Sequence, residues 1–222
     1  MKKNFFEGKD FGKGQFKALM PEYYPSKYKK YIQEEITLLQ SHLKGTKRVL
    51  EAGVGIGRLI PELAPLVTEF VGIDNTALML KEAKKVAERF PKARIIKGNL
   101  ENVSKLFPEN YFDYAVCVWN TLGNMKDEVR VLQEVAKVTK KSIFITVYRK
   151  GTLEDRKRWY KAVGIRISKI DERNEIFYSE SGLRSKSYTL EEIKKIAKAS
   201  DLKVTSSRVL AGVILWVELK KQ

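Results

Sequence analysis

Three glycines at alternate positions follow a short apolar stretch near residue 50. Residues 49–51 have the pattern of a buried strand that ends in an acidic side chain, and the motif E-x-G-x-G-x-G covers residues 51–57. Because glycine has no side chain, the backbone can turn tightly there and a ligand can lie against the main chain. A helix that begins after such a turn favours anionic groups at its N-terminus. The motif therefore predicts a nucleotide-type ligand beside Gly53, Gly55 and Gly57.

The spacing of these glycines differs from the fingerprint of dinucleotide-binding folds, which is G-x-G-x-x-G. Counted from Gly53, the last glycine of that fingerprint falls on Arg58. A nicotinamide oxidoreductase is therefore disfavoured, although it stays among the alternatives at this point.

Polar residues also follow the next three predicted strands. Asp74 ends the second strand, where an acidic side chain can hold both hydroxyls of a ribose. Asn99 lies in the turn after the third strand, where it can meet the edge of a base, and Trp119 and Asn120 follow the fourth. The carboxyl ends of parallel strands meet at one edge of a sheet, and ligands bind there. We therefore expect these side chains to surround one ligand together with Glu51.

Apolar residues recur with strand and helix spacing, and this periodicity predicts the elements that position the polar residues. Five short buried strands alternate with amphipathic helices, which is typical of a mostly parallel, doubly wound α/β sheet with helices on both faces. The predicted strands cover residues 48–51, 70–73, 93–97, 111–118 and 142–147. The predicted helices cover residues 26–43, 60–66, 76–87 and 128–138, and Ser26 and Thr76 are expected to cap two of them.

The chain changes character after residue 148. Residues 169–174 are charged and predict a turn, and residues 175–187 predict a hairpin or loop around Gly182. A helix is expected over residues 190–199, with Ser187 or Thr189 as its cap. The last two strands, 203–209 and 213–219, are expected to form an antiparallel pair at the edge of the sheet.

The chain is strongly basic. Its 43 Lys and Arg residues outnumber its 27 Asp and Glu residues, so the formal net charge is +16, and the excess lies mainly in residues 1–30 and 149–200. A basic protein can bind RNA, DNA or an anionic small molecule. The lysines are mostly interspersed with glutamates, so we favour a solvated Lys/Glu-rich surface of the kind found in heat-adapted proteins.

Composition excludes several kinds of site. The chain of 222 residues has one cysteine, Cys117, and one histidine, His42. A disulfide framework and a Cys/His zinc site are therefore ruled out, and we expect no metal. A Ser–His or Cys–His catalytic triad is disfavoured. No apolar stretch reaches the ~18 residues of a spanning helix, and the N-terminus lacks the apolar core of a signal peptide. We expect a cytoplasmic protein without a membrane contact.

Taken in order, the motifs resemble those of class I S-adenosylmethionine-dependent methyltransferases. The similarity covers residues 46–148 well and the remainder loosely. The family pattern E/D-x-G-x-G-x-G matches residues 51–57 without a gap, and the ribose-binding acid of the family falls on Asp74. The adenine-contacting aspartate of the family falls on Asn99, which is a departure. An amide can still both accept from and donate to an adenine edge.

The resemblance implies a seven-stranded sheet whose last strand is antiparallel. It implies one methyltransferase domain over residues 1–222, with a helical cap over 1–45, a cofactor-binding core over 46–148, and an acceptor-side insertion with the last strands over 149–222. The implied cofactor is S-adenosyl-L-methionine, and the product is S-adenosyl-L-homocysteine. The implied cofactor-binding residues are Glu51, Ala52, Gly53, Val54, Gly55, Gly57, Asp74, Asn75, Met79, Gly98, Asn99, Leu100, Trp119, Asn120, Tyr24 and Tyr28.

The resemblance also suggests residues for the acceptor side. A methyl group on a sulfonium is already activated, so the enzyme mainly has to align donor and acceptor. Asn120 and Tyr148 are the candidate catalytic residues. The candidate acceptor-binding residues are Arg149, Trp159, Tyr160 and Arg184, and these arginines would suit an acceptor that carries a carboxylate or phosphate.

The loop after the fourth strand bears on the class of acceptor. Amino-group methylases of DNA carry [D/N]-P-P-[F/Y] there, whereas residues 120–123 are N-T-L-G. The chain also lacks the cysteine pair of the dual-cysteine RNA mechanism. A small-molecule acceptor is therefore the favoured hypothesis. An RNA or protein methyltransferase that uses the basic surface is the alternative, and a non-enzymatic nucleotide- or RNA-binding module is a third. The sequence does not specify an oligomeric state.

Overall fold

A computed structural model describes residues 19–222 of the chain. It contains a central sheet with helices on both faces. The strands are β1 (Arg48–Ala52), β2 (Glu69–Asp74), β3 (Ala93–Lys97), β4 (Phe112–Cys117), β5 (Thr139–Arg149), β6 (Ile167–Asp171), β7 (Ile176–Ser179), β8 (Arg184–Tyr188), β9 (Leu202–Leu210) and β10 (Ile214–Lys221). The helices are α1 (Ser26–Leu43), α2 (Ile60–Leu63), α3 (Ala77–Ala87), α4 (Thr121–Asn124), α5 (Glu128–Val138), α6 (Leu153–Ala162) and α7 (Leu190–Ala199), with short 3₁₀ turns at Pro21–Tyr23, Ala64–Leu66 and Leu100–Lys105.

Seven strands form the main sheet in the order β3-β2-β1-β4-β5-β10-β9. The first five are mutually parallel. The last strand, β10, runs antiparallel to both β5 and β9. The predicted doubly wound sheet with an antiparallel last strand is confirmed. The two last strands were predicted to form a pair at the edge of the sheet. In that pair only β9 lies at the edge, because β10 lies between β9 and β5.

The strands β6, β7 and β8 form an antiparallel meander next to the upper half of β5. The pairing of β4 with β5 ends at Cys117 and Ile145, and β8 pairs in parallel with β5 at Tyr148 and Arg149. Since β10 occupies the other side of β5 at Tyr148, β8 lies on the β4 side, beyond the end of that strand. The meander therefore rises above the carboxyl end of β4.

Side chains alternate between the two faces of the sheet, which is the period of a strand. In β5, Phe144 belongs to the apolar cluster that packs under α1, α2 and α3, whereas Ile143 and Ile145 belong to the cluster that packs under α5 and α7. The carboxyl ends of the parallel strands are left between these helical layers. Within residues 19–222, no helix is long and apolar enough to cross a membrane.

Two elements after residue 148 were not predicted. Helix α6 was missed because one of its buried residues is the charged Arg156, so no apolar stripe marks the helix. The predicted turn over 169–174 is confirmed only in its second half, since β6 covers Ile167–Asp171 and the turn covers residues 172–175. The predicted hairpin around Gly182 is formed by β7 and β8.

The predicted helix caps have different outcomes in the structure. Ser26 is the first residue of α1 rather than its cap, because Pro25 occupies the N-cap position and makes no side-chain capping bond. Thr76 occupies the N-cap position of α3, but its side chain makes no capping bond either. Thr189 caps α7 in a reciprocal pair with Glu192. The choice between Ser187 and Thr189 is thus settled in favour of Thr189.

Candidate functional site

A cavity of about 300 Å³ lies at the carboxyl ends of β1, β2, β3 and β4. It occupies the edge at which open α/β sheets bind their ligands. Its wall is formed by residues that follow each of these strands and by two residues that precede α1. The lining residues are Leu19, Tyr24, Glu51, Gly53, Val54, Gly55, Ile56, Arg58, Asp74, Asn75, Thr76, Met79, Gly98, Asn99, Leu100, Glu101, Val118, Trp119, Thr121, Asn124, Met125 and Lys126.

The three glycines after β1 all have positive φ angles, but they serve different purposes. A Cβ atom at Gly53 would lie 2.6 Å from the Thr121 side chain, and one at Gly57 would lie 2.6 Å from Ile60. A Cβ atom at Gly55 would meet no atom within 4 Å, and Gly55 lines the cavity. Gly53 and Gly57 therefore permit close packing, whereas Gly55 leaves bare main chain for a ligand.

Asp74 ties the end of β2 to the glycine loop. Its Oδ2 atom accepts a hydrogen bond from the Gly55 amide at 3.1 Å, and its Oδ1 atom accepts one from the Thr76 amide at 2.9 Å. Burial raises the pKa of the Asp74 carboxyl, and these amide donors oppose the rise. Each carboxylate oxygen keeps a further lone pair. The carboxylate therefore holds the loop and can still accept from ligand hydroxyls.

Glu51 places an unsatisfied carboxyl group in the cavity wall. The residue is 3% exposed, and its Oε2 atom is buried without a hydrogen-bond partner. Burial raises the pKa of this carboxyl to about 8, although the positive charge of Arg58 opposes the rise. Buried polar atoms are normally hydrogen-bonded. A ligand that brings a donor or a positive charge would satisfy this atom.

Arg58, which the sequence analysis treated only as a missing glycine, is held beside Glu51 by a buried network. Its Nη2 atom donates to Glu35 of α1 at 2.5 Å. Tyr31 and Thr146 donate to the other oxygen of Glu35. The network thereby connects α1, β5 and the glycine loop.

Aromatic side chains close one side of the cavity. Trp119 stacks between Tyr24, at a ring distance of 4.9 Å, and Tyr31, at 5.4 Å. The Trp119 amide donates to Thr146 Oγ1 at 2.9 Å, which fixes the start of the loop after β4. Tyr28 was predicted to contact the cofactor, but it stacks on Trp159 at 5.4 Å and is not part of the lining.

Most of the predicted cofactor residues come together around the cavity. Those that do not line it are Ala52, Gly57, Tyr28 and Asn120. Ala52 is buried in β1, and Gly57 packs against α2 and α3, so both lie behind the wall.

The two candidate catalytic residues also lie behind the wall. Asn120 is 2% exposed and has a φ of 59°. Its Oδ1 atom accepts from the Tyr148 amide at 3.1 Å, and its Nδ2 atom donates to Ser185 Oγ at 3.1 Å. Burial raises the pKa of the Tyr148 phenol well above its ordinary value. Neither residue lines the cavity, so the structure gives them a packing role next to it.

The candidate acceptor-binding residues are not part of the lining either. Arg149 is exposed at the end of β5. Trp159 and Tyr160 are buried on α6, and Tyr160 donates to Ser185 Oγ at 2.8 Å. Arg184 binds the carbonyl oxygens of the loop after β4 and pairs with Glu128 at 3.1 Å. Its role in the structure is to hold that loop.

The lining also includes residues that sequence reasoning missed. Four of them lie on or directly after the short helix α4, which was not predicted and which carries the chain along the cavity after Trp119 and Asn120. The missed residues are Leu19, Ile56, Arg58, Thr76, Glu101, Val118, Thr121, Asn124, Met125 and Lys126.

Strand order and cavity together define a Rossmann-like α/β domain with a nucleotide-type site. Residues 49–142 match the model of a family described as a methyltransferase domain. The uncharacterized methyltransferase YcgJ of Bacillus subtilis (strain 168) is 30% identical over 95 residues, which are 42% of this chain and 36% of that protein. Residues 49–142, which contain most of the cavity lining, are therefore similar to a methyltransferase domain.

Solved structures share the fold over nearly the whole chain. The PH0226 protein from Pyrococcus horikoshii OT3 is 21% identical, with a TM-score of 0.73, over 94% of this chain and 99% of that one. The magnesium protoporphyrin IX methyltransferase from Synechocystis PCC 6803, solved with bound SAH, is 14% identical, with a TM-score of 0.67, over 96% of this chain and 97% of that one. At these identities the likeness shows the fold.

Proposed function

We propose that the protein transfers a methyl group from S-adenosyl-L-methionine to a small-molecule acceptor. The observation that carries this proposal is the buried, unpartnered Glu51 carboxyl oxygen in the same cavity as the bare main chain of Gly55 and the Asp74 carboxylate. The cofactor is a nucleoside with hydroxyls at one end and an amino acid with a cationic amine at the other. The cavity offers a matching group for each.

The chain's own residues suit separate parts of this cofactor. Asp74 accepts from the ribose hydroxyls, because its oxygens keep free lone pairs beside the bonds to the glycine loop. Glu51 faces the cationic amino-acid end, where its unpartnered oxygen can accept. Asn99 and Leu100 border the place of the base, at the end of the next strand, β3. When bound, the cofactor supplies an electrophilic methyl group on a sulfonium.

The protein's part in the reaction is mainly to position the reactants and to exclude water. Tyr24, Trp119 and Tyr31 form a stacked wall that keeps bulk water from one side of the cavity. Holding donor and acceptor in line supplies most of what a transfer from an activated methyl group requires. Asn120 and Tyr148 contribute by fixing the loop after β4 to β5 through their mutual hydrogen bond.

The same wall supports a small acceptor. Leu19 and Tyr24 line the cavity, and the turn Pro21–Tyr23 lies between them in the chain. A macromolecular acceptor that approached from this side would have to displace the segment and break the stacking of Tyr24 on Trp119. The magnesium protoporphyrin IX methyltransferase, which shares the fold, is named for a small-molecule substrate.

Binding of the cofactor is tested by calorimetric titration with S-adenosylmethionine and S-adenosylhomocysteine. We expect micromolar dissociation constants, about −8 kcal/mol. Asp74→Asn should weaken binding about tenfold or more, because hydrogen bonds to a charged group contribute about 1.5–3 kcal/mol. Asp201→Asn, which removes the same charge from an exposed turn, should leave binding unchanged. No binding of either compound to the wild type would refute the proposal.

The acceptor class is tested with methyl-labelled cofactor and a cell extract that has been separated into small-molecule, RNA and protein fractions. We expect the label to appear in the small-molecule fraction. Label in RNA or protein would contradict the small-molecule part of the proposal and leave the cofactor part standing.

A further inference from the structure

Two carboxyl groups and one guanidinium group are buried together at the glycine loop. Arg58 donates to Glu35 at 2.5 Å, so its positive charge is already paired with a fully buried carboxylate. Glu51 is 3% exposed, and neither its Oε2 atom nor Arg58 Nη1 has a hydrogen-bond partner, so these two atoms do not bond to each other. Asp74, at the end of β2, adds a further negative charge. A charge on Glu51 would therefore be buried without compensation.

A buried acid that lacks a partner keeps its proton rather than its charge. Burial raises the pKa of the Glu51 carboxyl to about 8, although the positive charge of Arg58 opposes the rise. The thiol and phenols around this group are neutral as well. Burial raises the pKa of Cys117, on β4, to about 12, and it raises the pKa of Tyr24 and of Tyr31. Near neutral pH, Glu51 is therefore mostly protonated in the ligand-free protein.

A cation in the cavity changes this balance. Glu51 lines the same cavity as Gly55 and Asp74, and the amino-acid end of the cofactor carries an ammonium group. An opposite charge within about 4–6 Å favours the charged form of an acid, and the attraction is stronger where water is excluded. This effect acts through space. It requires that the ammonium group lies near Glu51, but it does not require a hydrogen bond between the two.

We infer that cofactor binding releases a proton from Glu51, so that this group is neutral in the free protein and forms a carboxylate–ammonium pair in the complex. The O–H bond of the Glu51 carboxyl breaks, its electron pair stays on the carboxylate oxygen, and the proton passes to the buffer. The inference rests on the proposed function, because it takes the amino-acid end of the ligand to lie at Glu51. The ligand then competes with the proton, so the dissociation constant falls as the pH rises toward the pKa of this carboxyl.

Calorimetric titration with S-adenosylhomocysteine at pH 7 counts the released protons. The titration is run in phosphate and in Tris, whose ionisation enthalpies differ, and the difference between the two observed binding enthalpies gives the number of protons. We expect about one proton for each bound ligand, and a dissociation constant that falls about tenfold from pH 6 to pH 7. Methylthioadenosine, a thioether of the same nucleoside without the amino-acid end, should release no proton.

Glu51→Gln keeps the shape of the side chain but cannot titrate, so the proton release should disappear. Glu82→Gln, which removes an acid from a surface pair with Lys85, is the matched control and should release as many protons as the wild type.

Wild-type binding of S-adenosylhomocysteine without proton release would overturn the inference. Equal release with methylthioadenosine, or release that persists in Glu51→Gln, would overturn it as well. In each of these cases binding of S-adenosylhomocysteine would still support the proposed function. The wild-type proton count decides the matter even if Glu51→Gln binds neither compound. If S-adenosylhomocysteine does not bind the wild type, the proposed function fails and this inference fails with it.

Discussion

Glu35 and Arg58 form a buried ion pair in which the two side chains meet at 2.5 Å. Glu35 lies in the middle of α1 and is fully buried, whereas Arg58 follows the glycine loop and lines the cavity. Glu35 also accepts from Tyr31 and Thr146. The pair therefore fixes α1 against the side of the sheet that carries the cavity. Its two charges also act on the pKa of Glu51, which Arg58 lowers and Glu35 raises.

We expect Glu35→Gln to destabilise the protein by about 3 kcal/mol, because removal of one partner leaves the other charge buried without compensation. Urea unfolding followed by circular dichroism measures this difference. The same variant should also weaken cofactor binding. Glu35 holds Arg58 directly, and it holds Trp119 through Thr146.

The control for this prediction is Glu82→Gln, which breaks a surface pair with Lys85. Exposed pairs contribute about 0–1 kcal/mol, so this variant should change the free energy of unfolding little. Equal losses in the two variants would mean that the buried pair has no special role.

The raised pKa of Glu51 predicts a pH-dependent stability of the ligand-free protein. The folded carboxyl titrates at about 8, and its ordinary value is 4.5. Between these pH values the folded state binds more protons than the unfolded state, so the free energy of unfolding falls as the pH rises. The decline from this group is at most about 1.4 kcal/mol per pH unit.

Glu51→Gln removes the titrating group and keeps its shape. Urea unfolding between pH 5.5 and 8.5 should show a shallower decline in this variant than in the wild type. Glu82→Gln should keep the wild-type slope. Parallel curves for wild type and Glu51→Gln would show that Glu51 titrates near its ordinary value.

Most of the cavity lining could be predicted from sequence because its residues follow separate strands. Once the strands are read as parallel, the positions of Gly55, Asp74 and Asn99 at one edge follow from chain order alone. The chemistry of Arg58 could not be predicted in this way. Its partner Glu35 lies 23 residues earlier on a different element, and nothing in the local pattern links the two.

The structure of the region after residue 148 could not be predicted from local sequence patterns either, because its key contacts join distant parts of the chain. Arg156 is fully buried on α6, and its guanidinium packs 4.5 Å from the Tyr148 ring and 4.4 Å from the Phe177 ring. A buried charge breaks the apolar periodicity by which helices are recognised. Arg184 was a candidate acceptor group in the sequence, but in the structure its guanidinium donates to backbone oxygens, as that of Arg156 does.

Arg184 should control the order of the loop that carries α4. It donates to the carbonyl oxygens of Gly123 at 2.8 Å and Met125 at 2.6 Å. Arg184→Lys keeps the charge but loses the forked geometry that reaches both oxygens. We expect faster amide hydrogen exchange in residues 121–126.

The control for Arg184→Lys is Arg94→Lys, in a surface pair with Glu69. That variant should leave exchange in residues 121–126 as in the wild type. An unchanged exchange rate in Arg184→Lys would mean that the loop is held by its other contacts.

Gly55 and Gly212 allow the binding role of a glycine to be separated from its backbone role. Both have positive φ angles, and a Cβ atom at either would meet nothing within 4 Å. Alanine at either position should therefore cost about 1 kcal/mol of backbone strain. Only Gly55 lines the cavity, so only Gly55→Ala places a methyl group where the ligand would lie against the main chain. Calorimetry should show binding of S-adenosylhomocysteine strongly weakened in Gly55→Ala and unchanged in Gly212→Ala, at similar losses in thermal stability. Equal affinities in the two variants would place the ligand away from the glycine loop.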